Sequence, residues 1–114
     1  MIRGTTPQHT FTLPFDPPVG CEYRIVYAQG EDHKEKILFE VETKGCAVTG
    51  CAVTVRLTQE QTLLFDCTPH WQNGAYVPYP VKIQFGVKTP GGETLWSNII
   101  ATTVDRCLRR DGLV

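Results

Sequence analysis

VKIQFGVK, residues 81–88, alternates apolar and polar side chains more strictly than any other stretch of the chain. Val81, Ile83, Phe85 and Val87 fall on one side of an extended backbone, with Lys82, Gln84 and Lys88 on the other, because successive side chains of a strand point to opposite faces. The period is that of a strand with one face buried and one wet. TPGGET, residues 89–94, follows as a Gly-rich hairpin turn. LWSNIIATTV, residues 95–104, then returns as the next strand. Its facing is ambiguous, since Ile99 and Ile100 lie on opposite sides; a bulge, or a strand buried on both faces, produces that pattern.

The same period recurs upstream. In HTFTLPF, residues 9–15, His9, Phe11, Leu13 and Phe15 alternate with Thr10, Thr12 and Pro14, and DPPVG stops the run because two prolines cannot continue a ladder. CEYRIVYA, residues 21–28, sets Tyr23, Ile25 and Tyr27 on one face. QGEDHK reads as a polar turn. KILFEVET, residues 36–43, places Ile37, Phe39 and Val41 together, opposite Glu40 and Glu42. CAV, a turn at TG and then CAVTVRL form a hairpin whose Val53, Val55 and Leu57 point inward. Short strands, turn signals about every 8–12 residues and almost no helical periodicity predict an all-β fold, an antiparallel β-sandwich of seven or eight strands. No repeat and no linker divides residues 1–114, and the length suits one domain with a single modest core.

Residues 57–67, LTQEQTLLFDC, interrupt the pattern in an informative way. Thr58 and Gln61 stand in the S/T-x-x-E/Q spacing of a capping box, and Glu60 lies where a helix dipole favours an anion. A short helical turn near 58–63 is expected, after which Leu64 or Phe65 drops into the core. This run resembles the turn by which immunoglobulin domains cross between sheets. Two marks of those domains are replaced here: Phe65 stands where the corner tyrosine is expected, and the tryptophans are Trp71 and Trp96, with none on the strand after Cys21. The expectation is therefore an immunoglobulin-like architecture, which by itself implies no function.

Composition narrows the classes of function. Eleven basic residues balance twelve acidic ones for a formal net charge of −1, which removes the electrostatic case for binding nucleic acid or an anionic membrane. The basic cluster Arg106, Arg109 and Arg110 is diluted by Asp105 and Asp111 and reads as a solvated tail. No apolar run approaches the roughly 20 residues of a membrane span. MIRGTTPQHTFTLPF has no signal-peptide core, so the expected location is a host bacterial cytoplasm or an assembled virion, without secretion by a signal peptide.

Five cysteines, at 21, 46, 51, 67 and 107, form an odd count and read as free, mostly buried thiols. Cys46 and Cys51 followed by Cys67 and His70 have spacing close to some zinc sites. A chain with enough alternating apolar residues to build a core has little need of such a staple, so neither metal nor an obligatory Cys46–Cys51 disulfide is expected. Cys67 with His70 is the one imaginable thiolate–imidazole pair, and a loop histidine beside a core cysteine explains it more simply. His9 and His33 form no metal or catalytic pattern. There is no nucleophile elbow and no phosphate-binding glycine loop. No catalytic, metal or cofactor site is expected, and no enzyme.

The loop HWQNGAYVPYP stands out instead. Trp71, Tyr76 and Tyr79 gather there with Pro78 and Pro80, and large rigid rings on a loop bury much area at low entropic cost. They form either a contact surface or a lid packed on the end of the sandwich; an aromatic platform for sugar is a third reading. Trp96 joins them as a candidate anchor for docking, and the uncharged strands HTFTLPF and LWSNIIATTV are candidate pairing edges.

IRGTTPQHTFTLPFD, IVYAQ, LTQEQTLLFD, VKIQFGVKTPGGETLWSNI and CLRRDGLV occur in that order over nearly the whole chain. In this the protein resembles small uncharacterised proteins encoded by phages and prophages of gut Firmicutes, and is similar in organisation to the N-terminal sandwich domains of phage baseplate proteins. The stretch 68–80 is longer than that pattern needs. The resemblance implies a non-catalytic structural or assembly protein, associated with a tail or baseplate, whose partners are phage structural proteins or further copies of itself. The alternative is a small ligand-binding module, most plausibly for carbohydrate.

Overall fold

The computed structural model describes residues 1–72 and 74–105. Cys107 and the arginines at 106, 109 and 110 lie outside the described residues. Ten strands are present among those described: β1 (Gln8–Thr12), β2 (Glu22–Gln29), β3 (Lys36–Glu42), β4 (Cys46–Thr49), β5 (Ala52–Arg56), β6 (His70–Gln72), β7 (Ala75–Val77), β8 (Val81–Lys88), β9 (Thr94–Trp96) and β10 (Ile100–Thr102). All their pairings are antiparallel. One α-helical turn, α1 (Gln59–Thr62), and a 3-10 turn at Thr43–Gly45 are the other elements among the described residues. The fold is all-β, as the periodicity predicts.

Three sheets result. One has the order β1-β5-β4; the second has the order β10-β8-β2-β3, with β9 also on β8; the third is the β6–β7 hairpin. The hairpin accounts for two of the strands beyond the seven or eight expected, and it lies in the stretch without strand alternation. The last predicted strand is also cut in two. Gly86 pairs with Trp96 and Ile83 with Ile100, so three residues (97–99) oppose two (84 and 85). That is a bulge, the first of the two readings of Ile99 and Ile100. Both isoleucines are exposed, which excludes a strand buried on both faces.

The inner faces meet as the alternation requires. Ile25, Tyr27, Val53, Val55, Leu57 and Val81 are almost fully buried. Phe11 of β1 stacks on Phe85 of β8 with ring centroids 5.1 Å apart, and the His9 ring stacks on Tyr27 of β2 at 5.8 Å. These aromatic contacts tie the three-stranded sheet to the five-stranded one. Thr58 caps α1 with the full capping box: its hydroxyl accepts from Gln61 N–H, and the Gln61 side chain accepts from Thr58 N–H. The turn sends Phe65 into the core and leaves Leu64 exposed.

One facing and one turn boundary differ from expectation. Ile37 is 56% exposed, because Tyr27 pairs with Phe39 while Ala28 pairs with Ile37. Leu38 is the extra residue of that bulge. It turns partly inward and flips Ile37 to the outer face. In the β4–β5 hairpin Thr49 pairs with Ala52, so the turn residues are Gly50 and Cys51. Cys51 therefore belongs to the turn and does not begin the strand. Gly50 takes φ of 59°, a left-handed value that suits the first position of a tight hairpin turn.

Candidate functional site

The aromatic loop is held by one buried amide. Gln29 ends β2 at the inward phase of Tyr23, Ile25 and Tyr27, and its side chain is buried. Its Nε2 donates to the carbonyl of Asp66 at 2.6 Å and to that of Tyr79 at 2.8 Å, and its Oε1 accepts from Asp66 N–H at 2.7 Å. Both ends of the excursion 66–79 are thus fastened to the end of β2. Asp66 Oδ1 accepts from Thr68 N–H at 2.8 Å; hydrogen bonds from Thr68 hold the Asp66 carboxyl below its usual range.

Between those fastenings the chain leaves the body. His70 pairs with Val77, Trp71 with Tyr76 and Gln72 with Ala75. Tyr79 packs down, half-buried, with its ring stacked on His70 at 4.1 Å. Trp71 and Tyr76 are a directly opposed cross-strand pair, edge to face at 4.9 Å, and remain 63% and 71% exposed. Of the three rings, Tyr79 is thus packed against its neighbour, whereas Trp71 and Tyr76 are left in solvent.

Trp96 stands elsewhere. Its ring lies on Gly86, where an added Cβ would come within 2.6 Å of two ring carbons. Gly86 is five residues from Val81, the partner of Gln29, so about 17 Å of strand separates Trp96 from the anchored end of the loop. The four candidate residues form two surfaces, with Trp71, Tyr76 and Tyr79 on one and Trp96 on the other. Around Trp96 is a shallow cavity of about 330 Å³, lined also by Glu22, Arg24, Glu42, Lys88 and Thr94. Arg24 lies 3.4 Å from Glu42 and 3.9 Å from Glu40.

The cysteines and histidines do not assemble a reactive centre among the described residues. Cys21, Cys46, Cys51 and Cys67 are free thiols. Burial pushes the Cys46 and Cys67 thiols up, opposite to what an attacking thiolate needs, and His70 is occupied by Tyr79. No group of three or more His, Cys, Asp or Glu is placed to hold a metal ion among these residues, and none of their helices is long and apolar enough to cross a membrane.

Sequence reading missed two features. Gln29 stands in the polar run QGEDHK, although extending the period of β2 by one step places it inward. Lys82 lies on the outer face as the alternation places it, and nothing local in VKIQFGVK marks it as an anchor. It meets Asp32 at 2.5 Å and also Glu35, pinning the 31–35 turn to β8. The hydrogen bond from Lys82 depresses the Glu35 carboxyl to about 2. The chain matches no family model and no curated protein.

Proposed function

We propose that the protein is a non-catalytic structural or assembly component of a phage particle, tail- or baseplate-associated, built on an immunoglobulin-like β-sandwich. The orders β1-β5-β4 and β10-β8-β2-β3 support the architecture. With β9 and β10 taken as one interrupted strand, they follow the immunoglobulin orders B-E-D and G-F-C-C′. The resemblance to phage proteins supplies the setting. One observation carries the role: an exposed, opposed Trp71–Tyr76 pair on a hairpin whose base is fastened by Gln29. A hairpin fastened at its base that presents two large rings to solvent is suited to docking, since such rings dominate the energy of interfaces.

The test is pull-down with the products of neighbouring genes. Wild type retains at least one, and Trp71→Ala with Tyr76→Ala loses it while keeping the fold. Failure of the wild type to retain any of them counts against the reading. The Trp96 cavity supports a second reading, a carbohydrate-binding module. A flat ring flanked by Glu22, Glu42, Arg24 and Lys88 matches the stacking face and the hydrogen-bonding rim of a neutral sugar. Saturation-transfer NMR against a glycan panel, repeated with Trp96→Ala, tests it.

A further inference from the structure

We infer that β1 is a pairing edge, and that it pairs with β1 of a second copy of this chain about a two-fold axis through Thr10. Its backbone sets out which groups are offered. Leu57 N–H donates to the carbonyl of Pro7, and Leu13 N–H donates to that of Cys51. Residues 7, 9, 11 and 13 therefore turn their backbone groups toward β5, and Gln8, Thr10 and Thr12 turn theirs away from it. Among the described residues nothing bonds to those outward groups.

Every other edge among the described residues carries a device that hinders pairing. β3 has the Leu38 bulge and the charges Lys36, Glu40 and Glu42. β4 has only four residues and leaves a 3-10 turn that contains Lys44. The β9–β10 edge is broken by its extra residue, and past Thr102 it is covered by Ile2, which bridges to Asp105. β6 and β7 are three residues each. β1 has a regular five-residue register with β5, with no bulge, proline, lysine or carboxylate.

The sequence of β1 also indicates the partner. QHTFT laid antiparallel on itself about Thr10 sets Thr10 opposite Thr10, Gln8 opposite Thr12 and His9 opposite Phe11. The first two are pairs that exchange both N–H···O bonds. Thr–Thr pairs are favourable across strands, and no like charges meet. The contact is isologous and closes at two copies. It uses a surface other than the Trp71–Tyr76 hairpin, so it holds whether or not that hairpin docks a phage protein.

A charge swap at the axis tests it by sedimentation velocity over a concentration series. Wild type is expected to dimerise. Thr10→Lys and Thr10→Glu, which each place like charges face to face, weaken the dimer about tenfold or more when alone, and an equimolar mixture of the two restores it. Thr10→Pro removes only an outward N–H, a position where an edge strand tolerates proline; it also yields monomer, and it answers the same question if a charged variant fails to fold. Trp71→Ala with Tyr76→Ala leaves the dimer intact, which separates this inference from the docking role. A wild type that stays monomeric throughout, or a dimer that both charged variants leave unchanged, overturns it.

Discussion

β8 and the β6–β7 hairpin are both rich in large apolar side chains, yet one is the centre of the molecule and the other an outgrowth. β8 pairs along its whole length with β2 and, on its other side, with β9 and β10. Its inward residues Val81, Ile83, Phe85 and Val87 are all buried. Among the described residues the hairpin pairs only with itself, and its opposed Trp71 and Tyr76 stay largely in water. Apolar content is therefore a poor guide to burial; a strand is buried when its period matches a facing sheet. An isolated two-stranded hairpin is marginal in water, and this one depends on the Gln29 amide and on Tyr79 packed against His70.

That contrast breaks first at Phe85. Phe85→Ala removes a ring stacked against both Phe11 and Tyr23, and a loss of roughly 3–5 kcal/mol is expected from transfer and cavity together. Chemical denaturation measures it; a loss below about 1 kcal/mol would put β8 in the same class as the hairpin. Gln29→Leu is next. It leaves the Asp66 N–H and the Asp66 and Tyr79 carbonyls without their partner, at a cost of about 1–3 kcal/mol. Amide exchange across 66–79 is expected to accelerate while β2 and β8 stay protected. Equal acceleration in all three would mean that the hairpin is not a separate unit.

A smaller effect is expected from pH. Burial, followed by the charge of the N-terminus, lowers the His9 pKa from its ordinary value of 6.5, and His9 Nδ1 lies 2.8 Å from the Tyr27 hydroxyl. The unfolded chain therefore takes up this proton first. Stability is complete above about pH 6.5 and falls as the pH drops from there toward the lowered folded value. His9→Gln flattens the fall in stability that sets in as the pH drops below about 6.5; an unchanged slope would acquit His9. Glu35 does not intrude on that window, because its stabilisation is present above the ordinary carboxylate value of 4.5 and is lost only as the pH falls toward about 2. The smallest effect belongs to the hairpin surface. Trp71→Ala with Tyr76→Ala is expected to change stability by no more than about 0.5 kcal/mol, and a larger loss by calorimetry would mean the rings pack on the body.

Much of this was readable in residues alone. Period-two alternation located β1, β2, β5 and β8 and their inward faces, and the Thr58–Gln61 spacing located α1 with its cap. These are local signals, because strand phase and capping are decided within a few residues. Ile37 escaped because a bulge is decided by the neighbouring strand, and nothing in KILFEVET marks Leu38 as the extra residue. The candidate surface was legible in composition but not in geometry. Composition groups four aromatic residues, and pairing register alone separates Trp96 from the other three.

The sequence by itself determined an all-β antiparallel chain, the faces of β1, β2, β5 and β8, and the helical turn α1. It did so because alternation and capping are properties of adjacent residues. Tertiary structure decided what depends on residues far apart in the chain. Gln29 became the anchor of a loop whose ends lie 37 and 50 residues away. Gly86 became the seat of Trp96. Of two uncharged strands, β10 was left broken and bridged past its end, and among the described residues β1 was left open along its edge. Each of these is a question of which backbone or side-chain group finds a partner, and that is settled only when the sheets assemble.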